Sequence, residues 1–511
     1  MSIFATKSIE RIRVEQLGGP EGSGELKRVL GPAQLVMLGV GAVIGTGIFV
    51  LTGQAAAANA GPAIVISMVI AGLTSVLAAL CYSEFAASVP VAGSAYTYAY
   101  ATLGEFVAWI IGWDLILEYA LGAATVAVGW SGNLITLLNQ MGVSFPAALS
   151  AAPGTSVPIP GGDPVTAVFN LPAVLVTVAV TALLIFGVSE SATVNSVIVV
   201  LKVGVVLIVI GAGAFFIDPN NWHPFIPENT GTFGEYGWSG ILRGAGVIFF
   251  AYIGFDAVST SAQEARNPQR DMPRGILGSL AVCTVLYVLV SGVMVGLVPY
   301  KEMLNQPAPL LVATEAAAQR AVGTPWQGPM AMVKVLVTVG ALAGLSSVMV
   351  VMMLAQPRIF LAMAKDGLLP AWASRIHPRF KTPHVSTIVT GVAVAVAAGL
   401  TPIGTLGGLT SIGTLLAFVI VSLGIIVLRR TRPDLPRPFR MPFVPVLPAL
   451  SALVSLTLMI GLPRATWERL ILWMAIGIAF YFAYGHRKSR LRVEIAGGAA
   501  LSATPESGRQ A

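Results

Sequence analysis

The 511-residue chain has little charge: 10% of its residues are Asp, Glu, Lys or Arg, against ~25% in soluble domains. With 55% hydrophobic residues and a mean hydropathy of +0.81, that shortage excludes one soluble core and implies many apolar spans. Cysteine is scarce too. Cys81 and Cys283 both fall in apolar runs, so neither a disulfide framework nor a metal site is suggested. The four histidines, each beside a proline or a basic residue, argue against a histidine metal centre. A Walker-type phosphate loop is missing, which leaves ATP-driven pumping without a site. No loop gathers a nucleophile, a base and oxyanion donors, so an enzyme is not expected, nor a cofactor. The first 32 residues are polar, with no short apolar core before a small-residue cleavage site; they read as a retained tail rather than a signal peptide.

What is present is apolar length. Twelve apolar segments stand at 33–58, 62–88, 103–135, 168–187, 193–216, 238–261, 276–299, 330–356, 384–401, 407–428, 443–462 and 467–485. Each approaches the ~20 residues a bilayer core requires. The fold class expected is therefore an all-α polytopic membrane protein with 12 transmembrane helices. An even number puts both termini on one side. Under this count 23 of the 30 basic residues share that side, including Lys7, Arg270, Arg274, Arg375, Arg429, Arg437 and Arg492. The positive-inside rule makes it cytoplasmic. An odd number of spans would break the segregation. The stretches 139–164 and 217–237 read as external loops, and the tail beyond Ile495 as disordered.

The run Gly39-Val-Gly41-Ala-Val-Ile-Gly45-Thr-Gly47-Ile-Phe49 lies within an uncharged stretch from Ala33 to Ala58. Its four glycines suit a continuous helix poorly, at ~1 kcal/mol each against alanine. An interrupted span is one reading; close helix packing through small residues is the other. Irregular backbone at lipid depth survives only when buried in protein or lining a cavity. A half-helix N-terminus attracts a carboxylate, and freed carbonyls attract an ammonium. The sixth span echoes the first, with Gly244-Ala-Gly246 followed by Phe250-Ala-Tyr-Ile-Gly254-Phe-Asp256. A glycine-interrupted span thus opens each of two groups of five. Five being odd, the second group is inverted, and paired broken helices at matching positions point to a transporter site.

Charge inside a span costs at least ~2.5 kcal/mol and is a functional hypothesis by default. Lys202 lies about ten residues into the fifth span, hence ~15 Å deep. It reads as a proton-binding switch beside the broken first helix, or else as a static lysine bonded to helix-end carbonyls. Asp114 and Glu118, four apart, share a helix face. Glu118 either lines a solute pocket or locks helices together. Asp256 follows the expected break at Ile253-Gly254 and either caps a half-helix or meets the solute's cationic end. Glu84 and Glu264 stand near cytoplasmic helix ends, open to gating or interfacial roles. Lys334 and Arg243 read as interfacial anchors. The segment 357–370 reads as an amphipathic cytoplasmic piece at the interface or in the inner vestibule.

Together, Gly41-Ala-Val-Ile-Gly-Thr-Gly-Ile-Phe49, Cys81-Tyr-Ser-Glu-Phe85, Pro90-Val-Ala-Gly-Ser-Ala-Tyr-Thr-Tyr98, Phe249-Phe-Ala-Tyr-Ile-Gly-Phe-Asp256, Glu264-Ala-Arg-Asn-Pro-Gln-Arg-Asp-Met-Pro273 and Pro357-Arg-Ile-Phe360 resemble the amino acid–polyamine–organocation (APC) superfamily. The nearest likeness is to the bacterial branch of its cationic amino acid transporter family. The resemblance implies a leucine-transporter-like (LeuT-like) 5+5 inverted repeat with discontinuous helices 1 and 6, plus two peripheral helices. It divides the chain into a tail (1–32), a first repeat (33–216), a second (238–428), peripheral helices (443–485) and a C-terminal tail (486–511). It also implies that amides around Gly45, Thr46 and Gly47 hold a substrate carboxylate, and that carbonyls of Val43, Phe250, Ala251 and Ile253 hold the α-ammonium. Phe250 would act as a lid, with Glu118 and Asp256 beside the substrate. Lys202 matches a lysine that replaces the ion of sodium-coupled relatives, which implies proton coupling.

The function expected is proton-coupled symport of L-amino acids, cationic or small neutral, into the cell across the inner membrane by alternating access. An exchanger without net proton movement and a non-transporting sensor are the alternatives. The partners expected are the L-amino acid, protons and membrane lipids, sterol-like ones among them, with a small single-span subunit at the periphery and no nucleic acid.

Overall fold

The computed structural model describes residues 3–8, 30–88, 94–159, 163–187, 192–261 and 265–493. Glu264, the first residues of the Pro90–Tyr98 stretch, most of the N-terminal tail and the tail beyond 493 lie outside them. In chain order the main helices are α1 (Pro32–Val43), α2 (Ile64–Ser88), α3 (Ser94–Thr102), α4 (Glu105–Gln140), α5 (Leu171–Ile185), α6 (Ala192–Ala214), α7 (Gly237–Ile248), α8 (Pro268–Leu297), α9 (Pro309–Arg320), α10 (Gln327–Lys365), α11 (His384–Leu400), α12 (Ile403–Thr431), α13 (Val446–Gly461) and α14 (Arg464–Phe480). Several carry proline in the first two positions, as at Pro32, Pro172, Pro268 and Pro309. An N–H is dispensable there and the ring pre-sets φ.

Among the described residues seven helical stretches are long and apolar enough to cross a bilayer, and α1, α5, α11 and α13 are shorter apolar helices. The chain is thus a multi-pass membrane protein. Length alone recovers fewer spans than the twelve apolar segments suggest for a physical reason. One stretch, Gly47–Ser88, joins the second half of the first segment to the whole of the second, while the sixth segment keeps only the twelve α-helical residues of α7.

In the interior, α8 packs on α1 and α2, and α4 packs on α10 and α12. Outward faces carry large apolar side chains, such as Leu73, Val285, Val392 and Leu472, as lipid contact requires. The stretch 139–164 is more than a loop: Ser156–Val157 pairs antiparallel with Val165–Thr166 (β1 and β2). The segment after Gln356 is no separate amphipathic piece. α10 runs unbroken through Pro357 to Lys365, because Phe360 and Met363 are buried and their packing outweighs the ~3 kcal/mol a helix-interior proline costs. Lys334 and Arg243 tie elements together. Lys334 pairs with Glu315 at 2.5 Å, and Arg243 Nε donates to the Gly461 carbonyl at 3.2 Å.

Candidate functional site

Both glycine-rich segments are interrupted, but not at their Gly-x-Gly pairs. Gly39 and Gly41 lie inside α1, and Gly244 and Gly246 inside α7. There they serve packing: Gly39 abuts Ser279, and Gly246 abuts the Leu458 carbonyl. The first break falls at Ile44, which is extended (φ −72°, ψ 101°). The chain then resumes as a π-helical turn over Gly47–Leu51, the kind of irregular turn often found at functional sites. The second break follows a 3₁₀ turn, Phe249–Tyr252. Ile253 is extended (φ −66°, ψ 140°) and Gly254 takes φ +115°.

The two breaks interlock. A Cβ built on Gly47 would stand 2.3 Å from the Ala251 Cα, and one on Gly254 would stand 2.8 Å from the Ala42 carbonyl oxygen. Only glycine allows either approach, and at Gly254 the positive φ adds a second reason. Val43, Thr46, Phe250, Ala251 and Ile253 are all buried. The carbonyls released where α1 ends find donors: Lys202 Nζ donates to Gly41 O at 2.8 Å, and Tyr287 Oη to Val43 O at 2.9 Å. Phe250 O accepts the Ile253 amide at 3.1 Å. The Thr46 hydroxyl, fully buried where the helix resumes, has no hydrogen-bond partner among the described residues.

α4 reaches both breaks. Its Gly129 faces the Thr46 side chain, and its Tyr119 donates to Asp256 Oδ2 at 2.8 Å. Next to Tyr119, Glu118 is buried with Oε1 unpartnered among the described residues, as are both carboxyl oxygens of Asp114 one turn earlier. α10 brings Val348 against Gly45. The structure therefore gathers Val43, Gly45, Thr46, Gly47, Phe250, Ala251 and Ile253 at one place, with Asp256 tied to α4 beside them. Lys202 stands at the far side of α1, at the last turn before the break, its stem packed on Gly344. Among the described residues no group of three or more His, Cys, Asp or Glu could hold a metal ion.

A family model of amino acid permeases matches residues 30–480. The chain belongs to the amino acid permease family. It is 44% identical to the branched-chain amino acid permease BcaP of Bacillus subtilis over 490 residues, covering 96% of this chain and 99% of the relative. The methylthioribose transporter of the same organism matches at the same identity and coverage. The vacuolar cationic amino acid transporter 4 of Arabidopsis thaliana is 38% identical over 436 residues, covering 85% of this chain and 68% of the relative. These relatives are named as transporters or permeases rather than enzymes, and they place the permease in the APC superfamily.

Three clusters in this permease were not legible in its sequence. Lys7 Nζ pairs with Asp366 Oδ1 at 2.7 Å, and Tyr96 Oη donates to Asp366 Oδ2 at 2.6 Å. Glu105, at the start of α4, is buried and accepts from Arg492 Nε at 2.8 Å, from Tyr481 and Tyr100, and from Ser489. Glu84, fully buried near the end of α2, accepts from Arg429 Nε and Nη2 at 2.9 and 2.6 Å, and from the Met441 amide. Their charged partners lie hundreds of residues apart, so no local pattern signals them; only the cost of burying a lone carboxylate would have prompted a search.

Proposed function

We propose that the permease imports L-amino acids by proton-coupled symport, with the substrate zwitterion held between the two helix breaks. One observation carries the reading: the breaks meet at Gly47 and Ala251, with a buried Thr46 hydroxyl, unpartnered among the described residues, where the helix resumes. The amides of Gly45, Thr46 and Gly47 open a helix and so suit a carboxylate. The carbonyls of Val43, Phe250, Ala251 and Ile253 suit the α-ammonium. Each carbonyl has two lone pairs, so the bonds from Tyr287 to Val43 and from Ile253 to Phe250 leave one acceptor site on each. Phe250 serves as the lid.

In this reading the chain crosses the membrane twelve times with both termini cytoplasmic. Segments 33–216 and 238–428 form inverted LeuT-like repeats, and 443–485 adds two peripheral helices. Lys202 is the proton carrier. Its ammonium braces the Gly41 carbonyl at the last turn of α1; losing the proton weakens that charge-assisted bond and frees the half-helix to move. Substrate arrival and proton arrival then favour the same arrangement of α1, which is what symport requires.

Neutral aliphatic amino acids are favoured over cationic ones. Asp256 already accepts from Tyr119, and two relatives matched over nearly their full length are named branched-chain amino acid permeases. The methylthioribose transporter shows that identity near this level accommodates a different solute. The deciding experiment is uptake into proteoliposomes of leucine, isoleucine, valine, alanine, arginine, lysine and methylthioribose, with and without an inward proton gradient. Gradient-stimulated uptake of the aliphatic set is expected. Preference for arginine or methylthioribose would overturn the substrate class. Exchange indifferent to the gradient would replace symport by antiport, and tight binding without uptake would make the protein a sensor.

A further inference from the structure

Away from the helix breaks, a cleft of about 670 Å³ opens at the basic end of α8, lined by Gln269, Arg270, Pro273, Arg274, Leu277 and Gly278, with Pro438 and Phe439 forming the opposite wall. Its two arginines are solvent-exposed, and among the described residues neither forms an ion pair. Arg429 and Arg437, on neighbouring chain, are by contrast both committed to Glu84. Among the described residues no acid lines the cleft. The adjacent Asp271 is buried and accepts from the Asn267 amide instead. A cation pair held over an apolar floor, with no counter-charge among the described residues, suits an anion that carries hydrocarbon.

α8 continues the feature into the membrane. Arg274, Gly278, Val282, Val285 and Leu289 follow one another at three- and four-residue steps and so form a single stripe. Val282, Val285 and Leu289 are among the exposed large apolar side chains. From Arg274 to Leu289 is fifteen residues, or ~22 Å of helix, enough to lie along a lipid tail through one leaflet of a hydrocarbon core ~30 Å thick.

We propose that this cleft and stripe form a binding site for an anionic phospholipid, with the phosphate between Arg270 and Arg274 and an acyl chain along Val282, Val285 and Leu289. The charge complementarity and the apolar track select a membrane lipid over a free phosphate ion. Guanidinium groups suit phosphate because their donors match its oxygens two at a time. The occupant sits where the 431–445 connection meets α8. It therefore ties that connection to the helix that packs on α1.

The test is native mass spectrometry of the full-length protein from detergent micelles, titrated with phosphatidylglycerol or phosphatidylcholine. The wild-type protein is expected to retain phosphatidylglycerol selectively. Arg270→Gln/Arg274→Gln should weaken that retention about thirtyfold, the effect of removing two arginines beside an anionic surface. Arg469→Gln, on α14, should leave it unchanged. Millimolar inorganic phosphate should not displace the lipid. Equal retention of both lipids by the wild-type protein would overturn the proposal without recourse to any variant. Unchanged retention in the double variant would overturn it as well, as would displacement by free phosphate. Amino acid uptake is not the readout, so the outcome is independent of the substrate assigned above.

Discussion

Gly47 and Ala251 touch. A Cβ on the first would stand 2.3 Å from the Cα of the second, closer than any side-chain carbon tolerates, so the two interrupted helices meet backbone to backbone. Gly47→Ala must push them apart by more than an ångström. Because the contact is rigid backbone on both sides, we expect overpacking of ~1–3 kcal/mol. Uptake in proteoliposomes should be lost while the variant still elutes as a monodisperse species. Wild-type uptake in that variant would show that the contact does not define the site.

Gly254→Ala tests the other lock. The residue has φ +115° and its missing Cβ faces the Ala42 carbonyl, so strain of ~1–3 kcal/mol adds to a steric clash. A clear drop in Tm is expected. Gly323→Ala, also at positive φ (+77°) but with nothing within 4 Å, should lower Tm less. Equal drops would mean that backbone strain alone is measured.

Lys202→Ala removes the donor to the Gly41 carbonyl. Uptake driven by an inward proton gradient should vanish, whereas substrate binding, followed by calorimetry, should persist at reduced affinity. Gradient-driven uptake at the wild-type rate would assign the proton to another group.

Glu118→Gln keeps the shape of a buried side chain whose Oε1 has no partner among the described residues. A carboxylate that contacts substrate should show itself as a changed ranking in a competition panel of neutral and cationic amino acids. An unchanged ranking with a lowered Tm would make Glu118 a tie between helices.

Glu84→Gln leaves Arg429 and Arg437 facing a neutral amide at a fully buried position. Breaking a buried pair by removing one partner costs ~3–5 kcal/mol. Expression and Tm should both fall, and Glu84→Asp should recover part of the loss. A variant as stable as the wild type would show that the cluster is solvated in the membrane.

The sequence already made the helix breaks legible, since clustered glycines in an uncharged run conflict with a continuous helix. The second break falls at Ile253-Gly254 as expected; what the glycine count alone did not separate is that Gly39 and Gly246 serve packing inside intact helices, whereas Gly47 and Gly254 let the two backbones meet. Asp256 was legible as a charge just past the second break, but its partner Tyr119 was not, because the hydrogen bond joins residues 137 apart. Lys7 with Asp366 and Glu105 with Arg492, 359 and 387 apart, lie further still beyond local pattern. The helix running through Pro357 was hidden for a different reason: burial of Phe360 and Met363 overrides a local breaker.

Val348, against Gly45, and Asp366, which holds Lys7, stand on and just beyond α10, eighteen residues and ~27 Å apart. With the substrate held as proposed, α10 would act as a lever, carrying a shift at Gly45 along one unbroken helix to the Lys7–Asp366 pair. Short fusions placed ahead of Lys7 would load that lever, so activity measured on such proteins should depend on tether length.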